Sequence, residues 1–343
     1  MARQAEMMGR RVAAFAGVLL LGLTALARPA AADMTVRIGR PVDLTALALI
    51  VAERDHLIEK QAQARNLGTV TVQWLPLASG NPIDMVAAGR ADIVADPDLA
   101  GFAAAWDERV GTPQEIKALA ALARMPYLLL TRNPAIATIR DFTEKDRIAV
   151  PAPKVSLPAV MLEMAAALEW GIPSYAKLDR FTVARADSAA VAALRSGTDG
   201  IDADFARLPY SDEERADPTV HRVMDSFDIA GPHSIGVIVA SARFRDDNAR
   251  LCAAVMAAIE EADDFIRRNP GVAAEIYTKA AKDENLGVEE LTDMLGDPDM
   301  GFSAAPSGLL NLVRFLHQTG RLKHEPASWQ EMFIPEAHKL PGS

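Results

Sequence analysis

Three observations predict an α/β protein of two lobes. Short β-type runs alternate with amphipathic helices along the chain. The 343 residues exceed what one hydrophobic core ordinarily organises. A pattern of helix, glycine, acidic residue and strand occurs twice, at Ala87–Ile93 and again from Ala193 to Asp202. Half of the residues are apolar and 24% are charged, which excludes a disordered, collagen-like or coiled-coil chain.

Each element has its own signal. Thr35–Gly39 reads as a strand ending in glycine, and Leu44, Leu47, Ile50, Val51, Leu57 and Ile58 follow helical spacing. A strand at Thr69–Leu75, a turn at Ser79-Gly80-Asn81-Pro82, a short helix and an apolar strand at Ile93-Val94-Ala95 come next. The middle repeats the scheme. Arg147–Val150 is a strand, Leu157, Val160, Met161, Met164 and Leu168 form a helical stripe, and Phe181–Arg185 is a strand. Val191 and Leu194 lie on a short helix before a strand that begins at Ile201. Such alternation implies sheets with right-handed crossovers.

From Arg245 the chain turns mostly helical. Leu251, Cys252, Val255, Met256, Ile259, Phe265 and Ile266 make an apolar stripe that Asp246 or Asp247 can cap and Pro270 stops. Helices follow at Val272–Lys282, Val288–Leu295 and Ser307–Thr319. This helical C-terminal region has no sheet of its own and is expected to pack on lobe one.

Residues 1–32 read as an export signal, cleaved near Ala32. Arg3, Arg10 and Arg11 are the positive start, Val12 to Ala27 the apolar stretch, and Ala30-Ala31-Ala32 the small-residue cleavage site. The stretch is short for a span of about 20 residues. No cysteine stands at the cleavage site to carry a lipid anchor, so a freely dissolved periplasmic monomer of 311 residues is expected, with 32 basic against 45 acidic residues and a net charge of −13.

Composition also restricts the chemistry. The whole chain carries a net charge of −10, which disfavours a phosphate backbone, so no nucleic-acid partner is expected. The single Cys252 cannot build a disulfide, zinc finger or iron–sulfur cluster. There is no phosphate-cradling glycine loop, no histidine pair at metal spacing and no glycine-flanked serine nucleophile. No cofactor, metal or enzymatic activity is expected. Three acid pairs, Asp96/Asp98, Asp202/Asp204 and Asp297/Asp299, each span one residue. The first and third, broken by proline, read as turns or helix starts. Asp202 and Asp204 read as a strand end facing a cleft.

The leader, the strand Thr35–Gly39, Ser79-Gly80-Asn81, the two glycine-to-aspartate echoes and the ending Thr319-Gly320-Arg321-Leu322-Lys323 with Pro326-Ala327-Ser328-Trp329 resemble one family in order and spacing. It is the nitrate/sulfonate/taurine (NitT/TauT, SsuA/THI5-like) family of ABC-transporter periplasmic solute-binding proteins, which also includes binders of thiamine-pyrimidine precursors. The resemblance covers nearly the whole mature chain. It implies an α/β, two-lobed periplasmic-binding-protein-like (type II) fold that closes on a small-molecule solute and delivers it to an ABC permease in the inner membrane. Transferred to this chain, lobe one is 33–133 plus 236–343 and lobe two is 134–235.

The family's cleft loops correspond to Gly39–Leu44 with Arg40 and Asp43, to Ser79, Gly80 and Asn81, to Asp96, to Lys154 and Ser156, and to Asp202 and Asp204. Many members carry an aromatic or small residue where this chain has Arg40, and a small polar pair near Lys154. Loops that enter helices offer oriented N–H donors to an anion. These donors, with Arg40 and above all Lys154 as cations, suggest an anionic or zwitterionic solute such as a sulfonate, taurine or nitrate. The carboxylates Asp202 and Asp204 favour an amine or ring N–H instead. Three alternatives stand beside this importer component: a pyrimidine-precursor binder, a single-turnover pyrimidine-synthase-like enzyme, whose family's cysteine-rich iron-binding segment Cys252 alone cannot reproduce, and a solute sensor.

Overall fold

The computed structural model describes residues 33–77, 81–96, 98–197, 199–282 and 286–343; the expected leader and the expected site residues Ser79 and Gly80 lie outside them. Ten strands run through the described residues in chain order: β1 (Met34–Arg40), β2 (Val70–Pro76), β3 (Ile93–Asp96), β4 (Ile116–Ala121), β5 (Tyr127–Thr131), β6 (Ile148–Val150), β7 (Thr182–Ala184), β8 (Ala203–Arg207), β9 (His221–Asp225) and β10 (Val237–Ser241). They form two five-stranded mixed sheets, ordered β2-β1-β3-β10-β4 and β7-β6-β8-β5-β9. In each, the first three strands run parallel and the fourth is antiparallel to both of its neighbours. The two lobes therefore share one topology.

That symmetry explains the repeated glycine-to-aspartate pattern, which precedes the equivalent strands β3 and β8. Asp92 accepts the Arg37 N–H at 2.8 Å and donates its own N–H to the Arg37 carbonyl at 2.9 Å. Asp202 does the same with Arg147, at 2.8 and 3.0 Å. Each carboxylate stitches the entry of a central strand to its parallel neighbour and satisfies a backbone donor beyond the ladder.

The fourth strand of each sheet is the first one the chain makes after a crossing: β5 after the outward crossing and β10 after the return. β5 hydrogen-bonds between β8 and β9, so the expected boundary at residue 133 differs from sheet membership, and the crossing precedes Tyr127. The return crossing lies between β9 and β10. The two crossing segments run side by side: Leu122 donates to the Gly236 carbonyl and Ile235 to that of Ala123, each at 2.9 Å. Two adjacent strands bending together are a hinge geometry.

The C-terminal helices pack on the first lobe, where the long helix Ala249–Arg268 lies against helices Leu47–Arg54 and Leu57–Ala64. Cys252, on that long helix, is fully buried. Asp246 and Asp247 end a separate short helix, Ala242–Asp247, and do not cap the long one, which starts behind Asn248. Pro270 both stops that helix and opens the next, Pro270–Ala281, where its missing N–H and fixed φ are harmless. Phe333 fixes the chain's end to the core, edge-on to Phe102 at 6.4 Å and to Trp329 at 5.2 Å.

Candidate functional site: a cleft between the lobes

The carboxyl ends of β1 and β3 and the loops before two helices meet between the lobes, where open α/β sheets commonly bind ligands. A cavity of about 600 Å³ lies there. Pro41, Leu77, Pro82 and Ala104 form apolar walls on the first lobe, and Ala152 and Val155 face them from the second. Val155 is 57% exposed, an apolar side chain left open on the second lobe's side. A larger groove of about 810 Å³, beside Leu57, Asp263 and Leu340, lies wholly on the first lobe, so lobe closure does not act on it.

Asp98 ties the cleft together. It caps the helix Leu99–Arg109, its Oδ1 accepting the N–H groups of Ala100 and Gly101 at 3.0 Å each. The same oxygen accepts the Leu157 N–H at 3.1 Å, at the start of the helix Leu157–Trp170 in the other lobe. Ser156 occupies that helix's own N-cap position, yet its hydroxyl donates back to the Ala152 carbonyl at 2.8 Å and caps nothing. One carboxylate thus serves two helix N-termini across the lobes. Burial pushes Asp98 up to about 6 even though these three donors favour its charge.

Asp96, at the end of β3, is only 4% exposed and lines the same cavity. Its Oδ1 accepts the Asp98 N–H at 3.2 Å, and its Oδ2 has no hydrogen-bond partner among the described residues. Burial, and next the Asp98 charge, raise its carboxyl well above the usual range. Arg109 is the cation on the wall, and it is engaged by the Ala105 carbonyl at 3.0 Å, by Glu108 at 3.2 Å and by Asp84 at 3.4 Å.

A second tie crosses between the lobes at Asp43, behind β1. Arg207, at the end of β8, reaches it with N···O distances of 2.8 and 3.3 Å, while Asp187 stands 3.3 Å from the same guanidinium. Asp43 also accepts the N–H and hydroxyl of Thr45 at 2.8 and 2.6 Å. Burial works to raise the Asp43 carboxyl, and the Arg207 charge with the Thr45 donors outweighs it, leaving the group below its ordinary value. Further back, Arg321 of the C-terminal region binds Glu163 and the Lys154 carbonyl, and Tyr175 meets Phe315 edge-on at 6.2 Å.

The expected site residues divide between cleft and scaffold. Asn81 and Asp96 line the cavity, and Asn81 also caps the turn by accepting the Ile83 N–H at 3.0 Å. Asp43 and Ser156 lie beside the cleft in the contacts given above. Arg40 turns away to Glu53, at 2.7 Å through Nε, and stacks on Trp74 at 5.6 Å. Lys154 is exposed, in a left-handed backbone conformation with φ 70°, and is absent from the cavity's described lining. Asp202 and Asp204 sit near the opposite end of β8 from Arg207, Asp202 about 16 Å away along the strand. Asp202 makes the stitch described above, and Asp204 is buried near Glu214.

Arg207, Asp98 and Asp187 carry inter-lobe electrostatics that no short motif signals. The Asp-Pro-Asp spacing was the one sequence signal near Asp98. His233 and Ser226 form a fully buried pair at 2.9 Å, with the Ser226 hydroxyl also holding the Tyr127 N–H at 2.8 Å. Burial lowers His233 to about 4, and the pair braces the hinge. Among the described residues there is no group of three or more metal-ligating side chains, and no helix is long and apolar enough to cross a membrane.

No protein-family model matches the chain, and no curated protein matches it in sequence. Solved structures do. The periplasmic aliphatic sulphonate-binding protein SsuA from Escherichia coli superposes with a TM-score of 0.65 at 16% identity, over 88% of this chain and 98% of that one. The alkanesulfonate-binding protein SsuA from Xanthomonas axonopodis pv. citri, bound to MOPS, gives 0.62 at 16% identity over 89% and 99%. The periplasmic nitrate-binding protein NrtA from Synechocystis PCC 6803 gives 0.63 at 15% identity over 87% and 84%. With its paired sheets, double crossing and inter-lobe cavity, the chain has the two-lobed α/β fold of the periplasmic binding proteins.

Proposed function

We propose that this chain is the solute-binding component of an ABC importer, of the nitrate/sulfonate/taurine type, exported to the periplasm by cleavage near Ala32. The cavity walled by both lobes and flanked by the two-strand hinge carries this reading, because a solute touching both walls stabilises the closed form by its preferential contacts there. The lobes are 33 to about 125 with about 235 to 343, and the residues between. The protein releases its solute unaltered to a membrane permease and acts as a monomer. Asn81, Asp96 and Asp98 contact the solute, while Asp43 with Arg207 holds the lobes together.

Of the two charges the sequence suggests for the solute, the acidic lining supports the one with an amine. Small-angle scattering of the purified mature chain, with and without a panel of sulfonates, nitrate, taurine, aromatic acids and amines, tests the reading alongside melting temperature. A solute at 100-fold excess over its Kd stabilises by about 2.7 kcal/mol. A particle that neither contracts nor gains stability with any compound sinks the proposal, and a compound that is consumed favours an enzyme.

A further inference from the structure

The cleft has chosen its charge in an unusual way. Helix N-termini at strand ends offer N–H groups to an anion, but here the donors of Ala100, Gly101 and Leu157 already belong to Asp98. The wall's cation, Arg109, is held by a helix carbonyl and two carboxylates. Asp96, nearly buried, keeps an oxygen on the same cavity that has no partner among the described residues. An anion entering here meets the carboxyl groups of Asp96 and Asp98 and finds the local helix donors occupied.

We infer that the solute is an organic cation, a primary ammonium or an amidinium on a compact apolar body, with its N–H groups directed to Asp96 and Asp98 and its body against Pro41, Leu77 and Val155. This rests on the solute-binding reading above and specifies its ligand. Charge-assisted hydrogen bonds satisfy the open acceptor of Asp96, and the 600 Å³ space with apolar walls suits a small ring or branched chain. No anionic group on the solute is required.

Three compounds of one shape separate the possibilities: benzamidinium, benzamide and benzoate, titrated calorimetrically into the mature chain, with nitrate and methanesulfonate alongside. Benzamidinium is expected to bind at least tenfold more tightly than benzamide, with benzoate and both inorganic-type anions weaker still. Asp96→Asn should weaken benzamidinium at least tenfold. Asp98→Asn, which keeps an oxygen for the three N–H groups while losing the charge, should do likewise. Tighter binding of any of the anions overturns the cation assignment and leaves the importer reading standing. Undiminished affinity in both variants also overturns it. Absence of binding by every compound at 10 mM, together with no contraction in scattering, takes down both the assignment and the reading beneath it.

Discussion

Asp43→Asn tests whether a single ion pair sets the balance between closed and open lobes. The asparagine keeps an oxygen to accept the Thr45 N–H and hydroxyl, so the local cap survives while the attraction to Arg207 goes. A charge-assisted hydrogen bond contributes about 1.5–3 kcal/mol. Arg207 is only 7% exposed, and abandoning such a buried charge costs about 3–5 kcal/mol. Asp187 remains 3.3 Å away, however, so Arg207 is not abandoned. About 2 kcal/mol is therefore expected, which is about a 30-fold fall in the closed-to-open ratio. Dye labels, one on each lobe, read this ratio as a distance distribution, and solute affinity falls with it because binding must then supply the closure. Since the pair is shielded from solvent, raising salt should change little in the parent protein. A ratio within threefold of the parent's refutes the argument.

Other substitutions probe the scaffold. Asp98→Ala removes a cap shared by two helices and should lower stability by about 2 kcal/mol in urea unfolding, whereas Ser156→Ala, whose hydroxyl caps nothing, should cost less than about 1 kcal/mol. Asp92→Ala and Asp202→Ala should each cost about 1–2 kcal/mol and leave solute affinity within threefold; a large affinity loss in Asp202→Ala would return that residue to the binding site. Glu214 is fully buried beside Asp204, with which its carboxyl shares a side-chain hydrogen bond. Burial first, then the neighbouring Asp204, raises it above its ordinary 4.5, so its contribution is intact below that pH and is lost as pH rises. Glu214→Gln should therefore gain about 1–3 kcal/mol at pH 8 and progressively less towards pH 4.5; a gain that does not vary with pH contradicts this. Gly308→Ala, at φ 67° with its Cβ 2.9 Å from His233 Cβ, should lower the melting temperature by several degrees.

The parallel half of each sheet was legible because Thr35–Gly39, Thr69–Leu75 and Arg147–Val150 are short apolar runs bounded by turn residues, and the structure places β1, β2 and β6 within a residue or two of them. The antiparallel strands were not. The Ile116–Ala121 run is alanine-rich and buried along most of its length, with no polar alternation to separate strand from helix. The same limit applied to the cleft. The repeated acidic residue before a strand is genuine and reflects a stitch that both lobes make, and Asp202, read from the sequence as a strand end facing a cleft, makes that stitch. Arg207 and Asp98 gain their roles only when strand ends distant in sequence come together, and charge patterning along a chain carries no record of that.

The interleaved strand order has a consequence for the growing chain. β4 pairs in its sheet with β10 alone, and β10 follows every strand of the other lobe. A nascent polypeptide that has emerged only as far as residue 230 holds β1 to β4 but leaves a gap between β3 and β4, with an unpaired edge on each side. The earlier-made half is thus obliged to wait for the later one, and vectorial synthesis should yield a late, concerted acquisition of protease resistance rather than two successive steps.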